Sequence, residues 1–267
     1  MALGTLAVVG VVNMLTALAF GVVGARLLRR PVQQPDRLAL QAIATWWLSM
    51  GLLVAIQAFE VFATTAGYTD LRVSTAARYA NAVLLAVGGW GLCFHVLYLR
   101  TGNRAWALPL APYYMLVAAG YLASVALHPL LRLEPTAYEV TGVYDPPLEG
   151  STVWNLVVAG VGLPLIAVCV LYLLLSRKLE RRDQKRRAVL ASSGILVWVS
   201  AGLVAQLTGS PLADFITITL LGLMAAVLVL LAYFPPAWLS RNDPIGPYLE
   251  VRHEPPPLPP EQQLYQR

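Results

Sequence analysis

Glu60, Arg78, His95, His128 and Asp214 each lie within or beside long apolar stretches of this 267-residue chain. An ionisable group inside hydrocarbon is expensive, so such residues count as functional candidates by default. Three have a polar companion three residues away on the same helical face: Gln57 with Glu60, Asn81 with Arg78, and Thr217 with Asp214. Counted back about 20 residues from the basic-rich ends of their segments, Glu60, Arg78 and Asp214 fall at one boundary of the apolar layer. Asn155 and Gln206 fall at similar depth. The eight residues Glu60, Arg78, Asn81, Gln57, Asp214, Thr217, Asn155 and Gln206 could therefore converge on one polar pocket. The plainer alternative is that they snorkel to headgroups or form a single structural ion pair. Under either reading Arg78 needs Glu60 or Asp214 as a partner, because an uncompensated charge there is costly.

Other chemistry lacks its groups. His95 and His128 fall at opposite ends of their apolar segments, so they cannot share a metal, and neither a bis-histidine haem nor a three-histidine zinc site can be assembled. Each histidine reads as a hydrogen-bonded side chain at the interface. Cys93 and Cys169 sit in apolar runs and read as small buried hydrophobes. No nucleophile, base and acid fall at one depth, which argues against an enzyme, and no cofactor or metal is expected.

The elements that must position these residues follow from composition. The chain is 58% hydrophobic and 12% charged, with mean hydropathy +0.64. A soluble domain carries about twice that charge. Apolar segments near Leu3–Leu28, Leu38–Thr65, Thr75–Leu99, Ala105–His128, Thr152–Ser176, Ala188–Leu207 and Ala213–Phe234 are each long enough for about 30 Å of hydrocarbon. The expectation is an all-α bundle of seven transmembrane helices over 1–237, followed by a proline-rich, unfolded tail over 238–267.

Charge orients it. With the N-terminus outside, all but three of the 19 basic residues (Arg72, Arg78 and Arg132) fall on the cytoplasmic side. The long segment Pro129–Ser151, with Glu134, Glu139, Asp145 and Glu149, then faces outward. The expected location is the plasma (inner) membrane of a prokaryote, multi-pass, with the C-terminus in the cytoplasm. The net charge of +5 follows the membrane and does not suggest nucleic acid.

Arg177, Lys178, Arg181, Arg182, Lys185, Arg186 and Arg187 read as a helical extension of the fifth span. Their first duty is topology and attraction to anionic lipid, and the functional alternative is docking of a cytoplasmic partner. Pro164 predicts a kink, and so a hinge, in the middle of the fifth span. Near mid-membrane, polarity comes only from Asn13, Thr16 and Ser49, which ranks a transporter or channel low.

Ala77-Arg78-Tyr79-Ala80-Asn81 resembles the Ala-Arg-Tyr-Ala-Asp stretch in the third helix of microbial rhodopsins, whose Asp, the retinal counter-ion, corresponds to Asn81. A retinal Schiff base needs a lysine in the seventh helix, and the two lysines here, Lys178 and Lys185, lie in the basic run. Covalent retinal is excluded. Ala44-Thr45-Trp46-Trp47 through Ala58-Phe59-Glu60, then Trp90 through Phe94-His95 to Arg100-Thr101-Gly102-Asn103-Arg104, is similar to the seven-helix sensor region ahead of bacterial histidine kinases, as is the basic run feeding Ala188-Val189-Leu190. Family members usually continue into a cytoplasmic output domain, and this chain shows none. With the outer polar layer, the resemblance implies a sensor-like or receptor-like protein that binds a small or lipophilic ligand or partner near the outer leaflet and signals to a separate cytoplasmic partner. The rival expectation is a structural or accessory subunit of a larger membrane complex.

Overall fold

The computed structural model describes residues 2–29, 36–103, 105, 108–136, 139–148, 151–179, 182–208, 212 and 215–236. The proline-rich stretch 238–267 lies outside them. Seven α-helices are described: α1 (Ala2–Leu28), α2 (Asp36–Thr65), α3 (Leu71–Thr101), α4 (Leu110–Leu127), α5 (Thr152–Arg177), α6 (Arg182–Thr208) and α7 (Gly222–Tyr233), the last preceded by a π-helical stretch, Phe215–Leu221. The first six are long and apolar enough to cross a membrane, as expected of a multi-pass membrane protein. The segment expected as the seventh span is instead composite. Its first part, Phe215–Leu221, is wound wider than an α-helix.

Helix ends follow local chemistry. Asp70 caps α3, its carboxylate accepting the Arg72 amide at 2.8 Å, and Gly102 ends the helix with φ of 67°, donating its amide to the Tyr98 carbonyl. The fourth helix begins five residues later than the apolar segment expected from Ala105, with Pro109 at its N-cap and Pro112 in its first turn, where a missing amide costs nothing. Phe234 closes α7 on the Leu230 carbonyl, and Pro235-Pro236 then bars another turn.

Packing follows the small residues. A Cβ on Gly10 would meet Val61 and Phe62, one on Gly51 would meet the Ala17 carbonyl, and one on Gly24 would meet Leu48, so α1 and α2 run antiparallel in close approach. Gly88 lies against Met50 and Ser49, and Gly91 against the Ala42 carbonyl, which joins α3 to the other face of α2. The core is aromatic. Trp47 packs with Phe20 of α1 and with Tyr233 of α7, at centroid distances of 5.1 and 6.3 Å. Arg26 of α1 places its guanidinium 4.2 Å from the ring centroid of Phe234, which ties the first helix to the end of the last.

The segment after α4, expected only as a long loop, contains an antiparallel hairpin of β1 (Leu130–Pro135) and β2 (Val140–Tyr144). Thr136 and Glu139 exchange hydrogen bonds to make its turn. Strand β1 packs on α3 and β2 on α2, so the hairpin lies over one end of the bundle.

The basic run is not a single extension of α5. The amides of Lys178 and Leu179 turn back to the carbonyls of Leu175 and Ser176, the chain leaves the helix, and α6 starts at Arg182. Arg177 and Lys178 therefore end one helix, while Lys185, Arg186 and Arg187 open the next. Arg177, Lys178, Lys185 and Arg186 are exposed and Arg187 is half-buried. Arg181 lies outside the described residues, as does the side chain of Arg182.

Candidate functional site

At the hairpin end, α2 and α3 bring Glu60 and Arg78 together. Nη2 of Arg78 donates to Oε1 of Glu60 at 3.2 Å, with the two side chains only 19% and 10% exposed. The pair links helices through residues 18 apart in sequence, with the short α2–α3 turn at Gly67 between them. One turn deeper lie Gln57 on α2 and Asn81 on α3. Oε1 of Gln57, Oδ1 of Asn81 and Nε of Arg78 are all buried and have no hydrogen-bond partner among the described residues. Leaving a buried donor or acceptor unmade costs about 1–3 kcal/mol, so three in one place call for an explanation.

The hairpin and α4 complete the surroundings. Tyr144 of β2, Tyr121 of α4 and Glu139 at the hairpin turn all lie within electrostatic reach of the Arg78 guanidinium. The Glu139 carboxylate also accepts the Thr141 hydroxyl at 3.0 Å. Sequence reasoning missed these three. Asn13, buried in α1, belongs to the same layer: Gly10 sits opposite Val61 and Ala17 opposite Gly51, which sets Asn13 at the level of Gln57. The Glu60–Arg78 pair thus lies buried between α2 and α3, with the hairpin packed on the same two helices.

Asn155, near the start of α5, is exposed. Gln206 and Thr217 lie in described helical segments but their side chains are outside the described residues, and Asp214 is outside them entirely.

His95, near the end of α3, is hydrogen-bonded as expected and is covered by neighbouring helices. It is 4% exposed, its Nδ1 lies 2.8 Å from the Ala39 carbonyl oxygen, and its ring meets Tyr172 of α5 edge-on. Because a carbonyl can only accept, the proton is on Nδ1 and Nε2 is bare; Nε2 has no partner among the described residues. His128 turns back onto the carbonyl of Ser124 at 2.7 Å. Cys93 and Cys169 are free and buried, with Cys93 Sγ 3.1 Å from the Tyr114 hydroxyl. Among the described residues no three His, Cys, Asp or Glu side chains gather as a metal site. Asn13, Thr16 and Ser49 are all buried, and Oγ1 of Thr16 has no partner among the described residues.

No family model, no curated protein and no solved structure matches the chain.

Proposed function

We propose that this chain is a seven-helix receptor-like protein of the plasma membrane, with its N-terminus and hairpin outside and its basic turn and C-terminus in the cytoplasm. It binds a small or lipophilic ligand or a partner at the polar layer of α2 and α3 near the outer leaflet and signals to a separate cytoplasmic partner. The observation that carries this reading is the buried Glu60–Arg78 pair surrounded by the three unmet polar atoms of Gln57, Arg78 and Asn81. A purely structural ion pair needs no such surplus, whereas a site that a ligand completes does. Helix α5 supplies the route. It follows the hairpin, contains Pro164, which removes one backbone hydrogen bond, and ends at Arg177 and the exposed basic turn.

Two measurements test it. A single cysteine at Leu133 should react with a membrane-impermeant maleimide on intact cells while one at Arg186 should not; Cys93 and Cys169 are buried and contribute little background. The reverse pattern overturns the orientation. In the purified protein, cysteine accessibility at Arg186 should change when membrane lipid extract is added; no change, with Glu60 and Arg78 dispensable for a knockout phenotype, overturns the receptor reading.

One observation favours a second reading, an accessory subunit. Helices α4 and α5 are covered far less by the rest of the chain than α1–α3, with Met115 and Leu116 72% and 74% exposed. Lipid covers such a face, and so does a neighbouring protein. Purification from native membrane in a stoichiometric larger assembly would favour the subunit.

A further inference from the structure

We propose that the exposed face of α5 and the basic turn that follows it form a docking site for an anionic phospholipid, with the phosphate at the turn and an acyl chain along the helix. This stands apart from the outer polar layer and needs only that α5 crosses the membrane. Leu163, Ala167, Val170 and Leu174 recur at spacings of four, three and four, so they share one face of α5, and all four are exposed. Leu163, Val170 and Leu174 are 62%, 43% and 50% exposed. From Leu163 to Leu174 the stripe rises about 16 Å, which matches one leaflet of a hydrocarbon core about 30 Å thick. Arg177 follows Leu174 by three residues and Lys178 stands in the turn just after it. The face that is apolar within the membrane therefore ends in cations where the helix leaves it.

Charge selects the head. Across the turn, Lys185 and Arg186 open α6, and both are exposed, as Arg177 and Lys178 are. None of the four has an ion-pair partner among the described residues, whose two ion pairs are Arg78–Glu60 and Arg132–Glu134. The whole run 177–187 sets seven basic residues against Glu180 and Asp183. Arg100 adds to the same layer. His95 of α3 meets Tyr172 of α5 edge-on, both helices start at the hairpin end, and five residues further on stand Arg100, also exposed, and Arg177. Like charges crowded at one depth repel, and a phosphate among them relieves the repulsion. A phosphatidylcholine head brings its own cation into the cluster, whereas an anionic head brings none. An acidic segment of a soluble protein would also suit the turn. The apolar stripe favours lipid: a partner in water reaches the cations and leaves the α5 face bare, while one phospholipid covers both.

The test uses the full chain in phosphatidylcholine nanodiscs that carry a fixed minor share of brominated-chain lipid, either phosphatidylglycerol or phosphatidylcholine. A fluorophore on Leu174→Cys reads the lipid on α5, and one on Leu116→Cys, on the exposed face of α4, is the control; Cys93 and Cys169 are buried and take little label. At Leu174, brominated phosphatidylglycerol is expected to quench with a relative affinity about fivefold or more above that of brominated phosphatidylcholine, the contribution of about one cation beside an anionic head. At Leu116 the two lipids should quench alike. Arg177→Gln, Lys178→Gln, Lys185→Gln and Arg186→Gln together, with Arg181, Arg182 and Arg187 kept for topology, should abolish the preference at Leu174. Arg177→Lys with Arg186→Lys keeps the charge and should retain it. Equal quenching at Leu174 with all the cations in place overturns the proposal, and that result needs no charge variant to fold. A preference of the same size at Leu116 belongs to the basic end as a whole and overturns a site on α5. A preference that survives the glutamine variant overturns the assignment to these cations. Polyglutamate that binds the turn equally well with and without phosphatidylglycerol assigns the cations to an acidic protein and overturns the lipid.

Discussion

Replacing Arg78 by methionine should lower the stability of the protein by about 3 kcal/mol, because it strands the Glu60 carboxylate where water reaches it poorly. For a chain of this size that corresponds to a fall in melting temperature of roughly 6–12 °C in the same nanodiscs. The decisive comparison is the double variant. Glu60→Leu with Arg78→Met removes both charges and fills the space with apolar atoms, and it should recover most of the loss, since a buried pair is often no more stabilising than hydrophobic groups of its size. A large coupling between the two substitutions is therefore expected. If each single variant and the double all melt with wild type, both charges are solvated among headgroups. The α2–α3 contact then has no low-dielectric interior at this pair.

The second large effect is expected at the α2–α3 contact. A Cβ on Gly91 would sit 2.6 Å from the Ala42 carbonyl oxygen, and that oxygen belongs to a helix backbone that cannot yield alone. Gly91→Ala should therefore push the two helices apart and cost about 2–3 kcal/mol. Gly88→Ala meets the Met50 methyl at 2.9 Å, the end of a flexible side chain, and should cost less. Gly202→Ala meets nothing within 4 Å and should gain roughly 0.5–1 kcal/mol from helix propensity alone. Melting temperatures in the order Gly202→Ala, wild type, Gly88→Ala, Gly91→Ala are the expected result. If Gly88→Ala is the worse of the two, the close approach of α3 to α2 is misplaced. The α2–α3 contact also sets the distance between Glu60 and Arg78, so Gly91→Ala should weaken ligand response as well as stability.

Much of this was legible in the residues themselves. Apolar length marked the six long helices, because hydrocarbon thickness imposes it locally. The polar companions at Gln57 and Asn81 stood out because helical periodicity alone puts them beside Glu60 and Arg78. Less local facts escaped. The hairpin residues Tyr144 and Glu139 reach Arg78 only because β1 and β2 fold back over α3 and α2, and nothing in the few residues Val140–Tyr144 states where that hairpin docks. The neighbours of His95 escape for a similar reason. A count along α3 places it near the helix end, but α2 and α5 rise around it there and Ala39 supplies its acceptor. The basic run reads as helical because Lys, Arg, Glu and Gln all favour helix, yet the chain must reverse between α5 and α6, and the turn at Lys178 and Leu179 begins it.

The grip of Arg26 on Phe234 and of Trp47 on Tyr233 has a consequence for biosynthesis. The core face of α2 at Trp47 is finished only when α7, the last helix described, has left the ribosome. At about 5–20 residues per second, that leaves Trp47 without Tyr233 for roughly 10–40 s. During that interval lipid or the insertion machinery must shield it. A nascent chain released before Gly222 should accordingly be recognised as unfinished and degraded, although its six long apolar helices are already made.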